Sequence, residues 1–269
     1  MNKVKSFIKR RFLRFKFSSE YFFYKKPKNF EHLLKMENTE LYSSMFLFFH
    51  KHLSKDIKKL RGYFNSNFRG FGEDAFFSVW FYVFNHKKPK NILEIGVYRG
   101  QSLALFQLLS EKNNINSDIY GISPLTNLGD EYSEYLDIDY ETDILNNFKA
   151  LNLKKPNLIK GLSQEEKIVK FIQSIKWDLI YIDGSHDFDD VKKDLTLAIE
   201  NLNTGGLIAV DDSNKDKNYN FQFIQNKYGI LSSDGHDGPT RALTEILSTR
   251  SDIEILLSIG HLNFLSKIK

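Results

Sequence analysis

Two short stretches place acidic residues and a histidine where chemistry could use them. The apolar run ending at Ile182 is followed by Asp183-Gly184-Ser185-His186, and Gly205-Gly206-Leu207-Ile208-Ala209-Val210 is followed by Asp211-Asp212. If both runs are neighbouring strands, Asp183, Asp211 and Asp212 come within reach of one point. Carboxylates so crowded repel, so they must take up protons, pair with Lys or Arg, or gather around a hard cation such as Mg²⁺ or Ca²⁺. The structural alternative is that Asp211 and Asp212 cap a turn while Ser185 or Asp187 caps the next helix. His186 is the candidate general base, because a neutral imidazole accepts a hydroxyl proton near neutral pH. It serves equally well as a metal ligand or a partner of one, and Asp183 becomes the base if no metal binds.

A third stretch reads Glu94-Ile95-Gly96-Val97-Tyr98-Arg99-Gly100-Gln101-Ser102. Gly96 permits a tight turn and close approach of a ligand to the backbone. Gly100 opens a helix whose free N–H groups favour a carboxylate or phosphate. The pattern is not G-x-G-x-x-G, since Glu94 stands at the first glycine, which weakens a dinucleotide reading. A fourth stretch, Asp234-Gly235-His236-Asp237-Gly238-Pro239-Thr240-Arg241, reads as a loop that opens a helix with Pro in its first turn. Placed after a strand, it would overhang the crevice and let His236 and Arg241 meet substrate or metal; otherwise it is only a turn.

Positioning these residues takes an alternation of strands and helices. Apolar runs at 91–95, 118–122, 157–160, 178–182, 207–211, 253–259 and 263–266 alternate with helical patterns at 101–111, 142–151, 164–175, 188–201 and 240–248. This order predicts an α/β fold with a doubly wound, mostly parallel, seven-stranded sheet covered on both faces. No helix separates the last two runs, so a hairpin at Gly260 makes the final strand antiparallel. Ligands of such sheets sit outside the carboxyl ends of the strands, where all the stretches above fall. Residues 28–86 instead read as helical, with Asn38 or Thr39 as N-cap before Leu41 and a second helix over 73–85. Between them a loop at 61–72 carries Arg61 and Arg69, which face a ligand or cover the core. The division expected is a helical, basic extension over 1–86 and a catalytic fold over 87–269.

Composition narrows the chemistry. With no cysteine in 269 residues, disulfide scaffolds, thiolate zinc sites, iron–sulfur clusters and cysteine nucleophiles are excluded, leaving oxygen and imidazole as metal donors. The net charge of +4 hides an asymmetry: Lys3, Lys5, Lys9, Arg10, Arg11, Arg14 and Lys16 crowd the first 17 residues, and the rest of the chain is slightly acidic. The body therefore gives no basis for nucleic-acid binding. On a helical wheel Val4, Phe7, Ile8, Phe12 and Phe15 share one face of residues 1–17, with most of the basic residues opposite. That face packs on the protein itself or on a second copy in a homo-oligomer, or it lies on an anionic membrane surface. A further option for this segment is contact with RNA or another acidic partner. No apolar run is long enough to span a bilayer and no secretory signal is recognisable, so the expected location is cytoplasmic, with the terminus able to place it at a membrane surface.

Glu94-x-Gly96-x-x-x-Gly100 after a strand resembles the cofactor loop of class I S-adenosylmethionine (SAM)-dependent methyltransferases. Asp183-Gly184-x-His186, with Val191 and Asp194-Leu195 after it, and Gly205-Gly206 leading to Asp211-Asp212 resemble the signatures of the methyltransferase-24 group. That group is related to metal-dependent O-methyltransferases of antibiotic sugars and to cephalosporin-hydroxylase-like proteins. The resemblance covers Lys87 to the C-terminus. It implies a Rossmann-like fold, SAM held by Glu94, Gly96, Val97, Tyr98, Gly100, Ser102, Ser123, Ser163 and Asp183, and Mg²⁺ on Asp183, Asp211 and Asp212. Two positions depart from the pattern. Ser185 stands where related sugar O-methyltransferases carry an acid, and Ser123 stands where an acid usually holds the ribose hydroxyls, a role Asp130 could take over. Ser163 either lines the adenine or is an ordinary helix N-cap with Glu166 three residues on.

The function this implies is methyl transfer from SAM to a hydroxyl of a saccharide or polar small molecule, such as a surface-glycan precursor, with help from a divalent metal. Two alternatives use the same residues: a non-methylating metal-dependent enzyme of hydroxylase or hydrolase type, and a catalytically silent binding module. A nicotinamide-dependent oxidoreductase fits least, because the first glycine and the ribose acid are missing.

Overall fold

The structure, a computed structural model, describes residues 18–127, 136–214 and 218–268. The basic segment 1–17 and Asp130 lie outside the described residues. Seven strands, β1 (Asn91–Ile95), β2 (Asp118–Ser123), β3 (Asn157–Lys160), β4 (Trp177–Ile182), β5 (Leu202–Val210), β6 (Ile253–Ile259) and β7 (Leu262–Lys267), form one sheet. Their order is β3-β2-β1-β4-β5-β7-β6. Pairs from β3 through β5 are parallel, and β7 runs antiparallel to β5 and β6, with Gly260 and His261 making the hairpin turn. The chain winds outward from β1 to β3 and then resumes on the other side of β1 with β4. The reversal opens a crevice between the carboxyl ends of β1 and β4, as expected for a Rossmann-like sheet.

The helices are α1 (Ser18–Phe23), α2 (Phe30–Leu33), α3 (Asn38–Lys51), α4 (Lys55–Phe64), α5 (Asp74–Lys87), α6 (Gln101–Lys112), α7 (Tyr140–Leu151), α8 (Glu166–Gln173), α9 (Phe188–Asn201), α10 (Phe221–Tyr228) and α11 (Asp237–Thr249). Strand side chains alternate between the two faces with period 2. Ile92, Leu179, Tyr181, Leu207, Ala209 and Phe264 meet the layer built by α3 to α6. Leu93, Ile180, Ile182, Ile208, Val210 and Leu265 meet α8, α9 and α11. The N-terminal helices thus share a core with one face of the sheet. Trp80 of α5 is a central contact in that layer, packing edge-on against Phe106 of α6 (4.8 Å between ring centroids), Tyr181 of β4 (5.5 Å) and Phe264 of β7 (4.9 Å).

Several local expectations change. The helical stretch after residue 38 divides into α3 and α4, with His52 ending the first and Ser54 preceding the second. Neither Asn38 nor Thr39 caps α3. Asn38 is buried, and its amide donates to the Gly260 carbonyl (3.0 Å) and accepts from the Gly260 N–H (2.6 Å). Thr39 donates to the Asn218 carbonyl (2.7 Å) and accepts from the Asn220 N–H (2.8 Å). Both side chains satisfy main-chain groups of distant turns that would otherwise lack partners. The segment from 61 stays helical through Phe64, and Arg61 covers the core by pairing with Asp74 (3.0 Å) over the Phe77 ring. Arg69 lies over Tyr63. Ser163 does not cap a helix, since α8 begins at Glu166 behind Glu165.

Truncating Trp80 empties the joint between the helical layer and the sheet. We expect Trp80→Ala to lower stability by about 3–5 kcal/mol, read from urea unfolding.

Candidate active site

The turn after β1 is locked to the end of β4. Gly96 has φ of +100°, and a Cβ there would lie 2.0 Å from the Asp183 carbonyl oxygen, so only glycine lets the two strand ends meet. The ladder continues past the strands: the Asp183 N–H donates to the Ile95 carbonyl (2.8 Å), Gly96 N–H to Ile122 (2.9 Å) and Asp211 N–H to Ile182 (2.9 Å). Val97 is buried, and Tyr98 packs against Phe71 (5.3 Å) and Tyr140 (5.7 Å). Gly100, at φ +81°, precedes α6, and the Ser102 hydroxyl on that helix donates to the Glu94 carboxylate. Glu94 is 1% exposed, and its Oε2 has no hydrogen-bond partner. Arg99 holds the turn from outside with a two-pronged pair to Asp143 of α7 (2.7 Å to each oxygen) and donates to the Asn67 carbonyl (3.3 Å).

Around the ends of β4 and β5 the acids and histidines collect. Tyr181 points from β4 into the N-terminal layer, and its hydroxyl donates to Asp211 Oδ2. Asp211 Oδ1 accepts from the Asp212 N–H (2.9 Å) and lies 3.3 Å from His261 Nε2. Asp211 is therefore largely satisfied by the protein itself. Asp212 adopts a left-handed φ of +51°, uncommon for a residue with a side chain, and its Oδ2 lies 3.0 Å from His186 Nε2. The His186 and His236 rings are 4.3 Å apart. A small cleft lined by Asp183, Ser185, His186, Asp211 and Asp212 opens here, with Val191 and Pro239 as its apolar wall.

The remaining candidates fall elsewhere. Ser123 ends β2, half-buried, beside the turn after β1. Ser163 is buried in the loop after β3, which its neighbour Gln164 ties to α9 by donating to Asp194 (3.4 Å). Arg241 sits on the outer side of α11, paired with Asp237 (3.4 Å) and over the Phe188 ring (4.8 Å), while His236 does join the cluster. Asp187, not Ser185, caps α9, accepting from the Asp189 N–H (2.9 Å).

The family model described as a methyltransferase domain matches residues 93–213. Over that region the chain is similar to the methyltransferase-24 group. An uncharacterized protein, R132, of Acanthamoeba polyphaga mimivirus is similar, 29% identical over 130 residues covering 47% of this chain. The match spans 52%, about half, of that relative's length. Among solved structures, the SAH-bound methyltransferase PaMTH1 of Podospora anserina superposes over 87% of this chain and 98% of its own, with a TM-score of 0.56 and 15% identity. A putative caffeoyl-CoA O-methyltransferase of Staphylococcus aureus does so over 81% and 95%, with a TM-score of 0.57 and 18% identity. At such identities the likeness is one of fold.

The candidate site is built in part from segments outside 93–213. His261, in the β6–β7 turn, has Nδ1 3.2 Å from the Ser233 carbonyl and Nε2 3.9 Å from Glu73 Oε1, at the mouth of α5. Glu73 also accepts from the Tyr42 hydroxyl. Sequence reading missed both residues, because neither belongs to a motif; the one signal was a histidine beside a glycine in the predicted hairpin. Burial opposes a charge on His261, yet Asp211, Asp212 and Glu73 outweigh it and raise its pKa. Burial and the neighbouring Asp211 and Asp212 push Asp183 well above the usual carboxylate range. Burial also works against ionisation of Asp212, but the His186 hydrogen bond and nearby histidines prevail and lower its pKa.

These residues fit the groups that the family implies. The unpartnered buried Oε2 of Glu94 offers an acceptor to a cationic or hydroxyl-bearing cofactor. Carboxylate and imidazole donors together suit a divalent cation. Among the described residues, two triads bring ligand atoms within 4.8 Å of one another, His186–Asp212–His236 and Asp211–Asp212–His261. Asp183 belongs to neither triad, although it lines the same cleft as Asp211 and Asp212.

Glu94 gives a measurable signature. Burial, aided by the charge of Asp211 and opposed by Ser102, raises its pKa from 4.5 to about 8. Between those values the folded protein keeps a proton that the unfolded chain has released. Its stabilising contribution is full below pH 4.5 and is lost as pH rises through about 8. Urea unfolding between pH 5 and pH 8 is expected to show stability falling by up to about 1.4 kcal/mol per pH unit from this group, a slope that Glu94→Gln removes.

Proposed function

We propose that this protein is a SAM-dependent O-methyltransferase acting on a hydroxyl of a saccharide or another polar small molecule, with a divalent cation at the ends of β4 and β5. The observation that carries the reading is the backbone junction of Gly96 with Asp183-Gly184. It places the glycine turn, where the cofactor would lie, directly beside the acid that ends β4. The polar class of acceptor is supported by the resemblance to sugar O-methyltransferases and by the acidic and imidazole lining of the cleft.

Glu94, Gly96, Val97, Tyr98, Gly100, Ser102 and Ser123 would hold the cofactor, with Ser163 supporting the adenine side through the loop after β3. When bound, SAM supplies an electrophilic methyl group on a sulfonium and leaves as S-adenosylhomocysteine (SAH). A divalent cation held by the acids and histidines at the ends of β4 and β5 would lower the pKa of the acceptor hydroxyl and orient it toward that methyl group. Asp183 receives the hydroxyl proton. Arg99, tied to Asp143, keeps the turn rigid so that the methyl group and the acceptor stay in line.

Calorimetric titration with SAH should show one site per chain, and transfer of labelled methyl from SAM to a panel of saccharides should identify an acceptor. Asp183→Asn is expected to lower the transfer rate about 10²–10⁴-fold, far more than it weakens SAH. Absence of SAH binding by the folded protein would overturn the proposal.

A further inference from the structure

We propose that His186, Asp212 and His236 form a mixed imidazole–carboxylate site for one divalent transition ion of the Mn²⁺, Co²⁺ or Zn²⁺ class. This set, rather than the three carboxylates Asp183, Asp211 and Asp212, would hold the cation. The ion's use in catalysis rests on the O-methyl transfer proposed above, whereas its ligands follow from the geometry alone.

Three elements are fastened together to present these ligands. The His236 N–H donates to the Asp212 carbonyl (2.7 Å), so the loop before α11 is pinned to the turn after β5. The Thr240 hydroxyl donates to the His236 carbonyl (2.7 Å) and accepts from the Asn214 N–H (2.8 Å), closing the same junction a second time. A Cβ on Gly238 would lie 1.9 Å from the His186 carbonyl oxygen, so glycine is required for the first turn of α11 to meet the loop after β4. The left-handed backbone of Asp212 turns its side chain toward the two imidazoles, with Oδ2 3.0 Å from His186 Nε2. One ligand atom from each residue falls within 4.8 Å of the others. Bonds of about 2.0–2.2 Å to a tetrahedral ion put ligand atoms about 3.3–3.6 Å apart, so small side-chain adjustments suffice. The cleft beside them has about 10 Å³ of free space, enough for a single water-sized body.

Ligand chemistry then sets the ion. Mg²⁺ demands near-octahedral oxygen ligands and dehydrates reluctantly, whereas imidazole favours later divalent ions in the order of their general affinity. Asp211 is a poor third carboxylate because Tyr181 and the Asp212 N–H already use its oxygens. Two imidazoles take the place that an all-oxygen site would give to acids.

The test uses the full chain after treatment with EDTA. Titrated Co²⁺ should give visible d–d absorption that saturates at one ion per chain. In thermal-shift titrations Mn²⁺, Co²⁺ or Zn²⁺ should raise Tm at concentrations at least tenfold below Mg²⁺. His236→Gln, checked for native circular dichroism, should weaken Co²⁺ at least tenfold, and Asp212→Asn should do the same, while Asp183→Asn should change it less than threefold. The proposal is overturned if Mg²⁺ stabilises as well as the transition ions, or if His236→Gln and Asp212→Asn leave Co²⁺ binding unchanged. SAH titration of the EDTA-treated protein separates the two readings. SAH binding without the Co²⁺ bands removes the ligand assignment and keeps the methyltransferase reading; the Co²⁺ bands without SAH binding support the ligand assignment and remove that reading.

Discussion

Glu73, Glu94, Asp183, Asp211 and Asp212 gather at the carboxyl edge of the sheet, where like charges in a medium of low dielectric repel far more strongly than in water. The remainder of the site can be understood as the response to that repulsion. His261 stands among three of these carboxylates, which raise its pKa against the opposing effect of its own burial. Tyr181 and Tyr42 donate to Asp211 and Glu73, and Ser102 donates to Glu94. Asp183 and Glu94 hold protons more tightly than ordinary carboxyls. Hydrogen bonds offset that repulsion only in part, and the remainder is what a bound cation would relieve.

Much of the catalytic sheet was legible in the residues. Short apolar runs separated by amphipathic stretches translate directly into parallel strands and covering helices, and the absence of a helix before β7 correctly implied its reversal. The glycine turn at Gly96 and the acids after β4 and β5 were legible for the same reason: strand ends are fixed by the runs before them. What could not be read was how side chains choose partners across long separations. Asn38 looked like an N-cap because its local sequence suits one, yet it is drawn to Gly260, 222 residues away in the chain. Asp211 was legible as a strand-end acid, but its hydrogen bond from Tyr181 was not, because that partner lies on the neighbouring strand 30 residues earlier in the chain. Arg241 looked close to the crevice in sequence, and the pitch of α11 carries it to the outer side.

The N-terminal helices also have a meaning that periodicity did not show. Their Phe-rich faces cover one side of the sheet, and Trp80 joins them to β4 and β7. Through that contact the layer holds Tyr181, and through Glu73 and Tyr42 it reaches the charged cluster. A segment with no catalytic motif thereby shapes the surroundings of the acids at the strand ends.

The hairpin turn at Gly260-His261 completes the site from outside the region that resembles other methyltransferases. The matched methyltransferase region stops at residue 213, so it contains the acids but neither His261 nor Glu73, nor His236. A likeness confined to that region says nothing of the groups that balance the strand-end charges. Two proteins with the same strand-end motif could differ in how those acids titrate. Transfer of function between them therefore has to follow the turn between the last two strands as well as the motif.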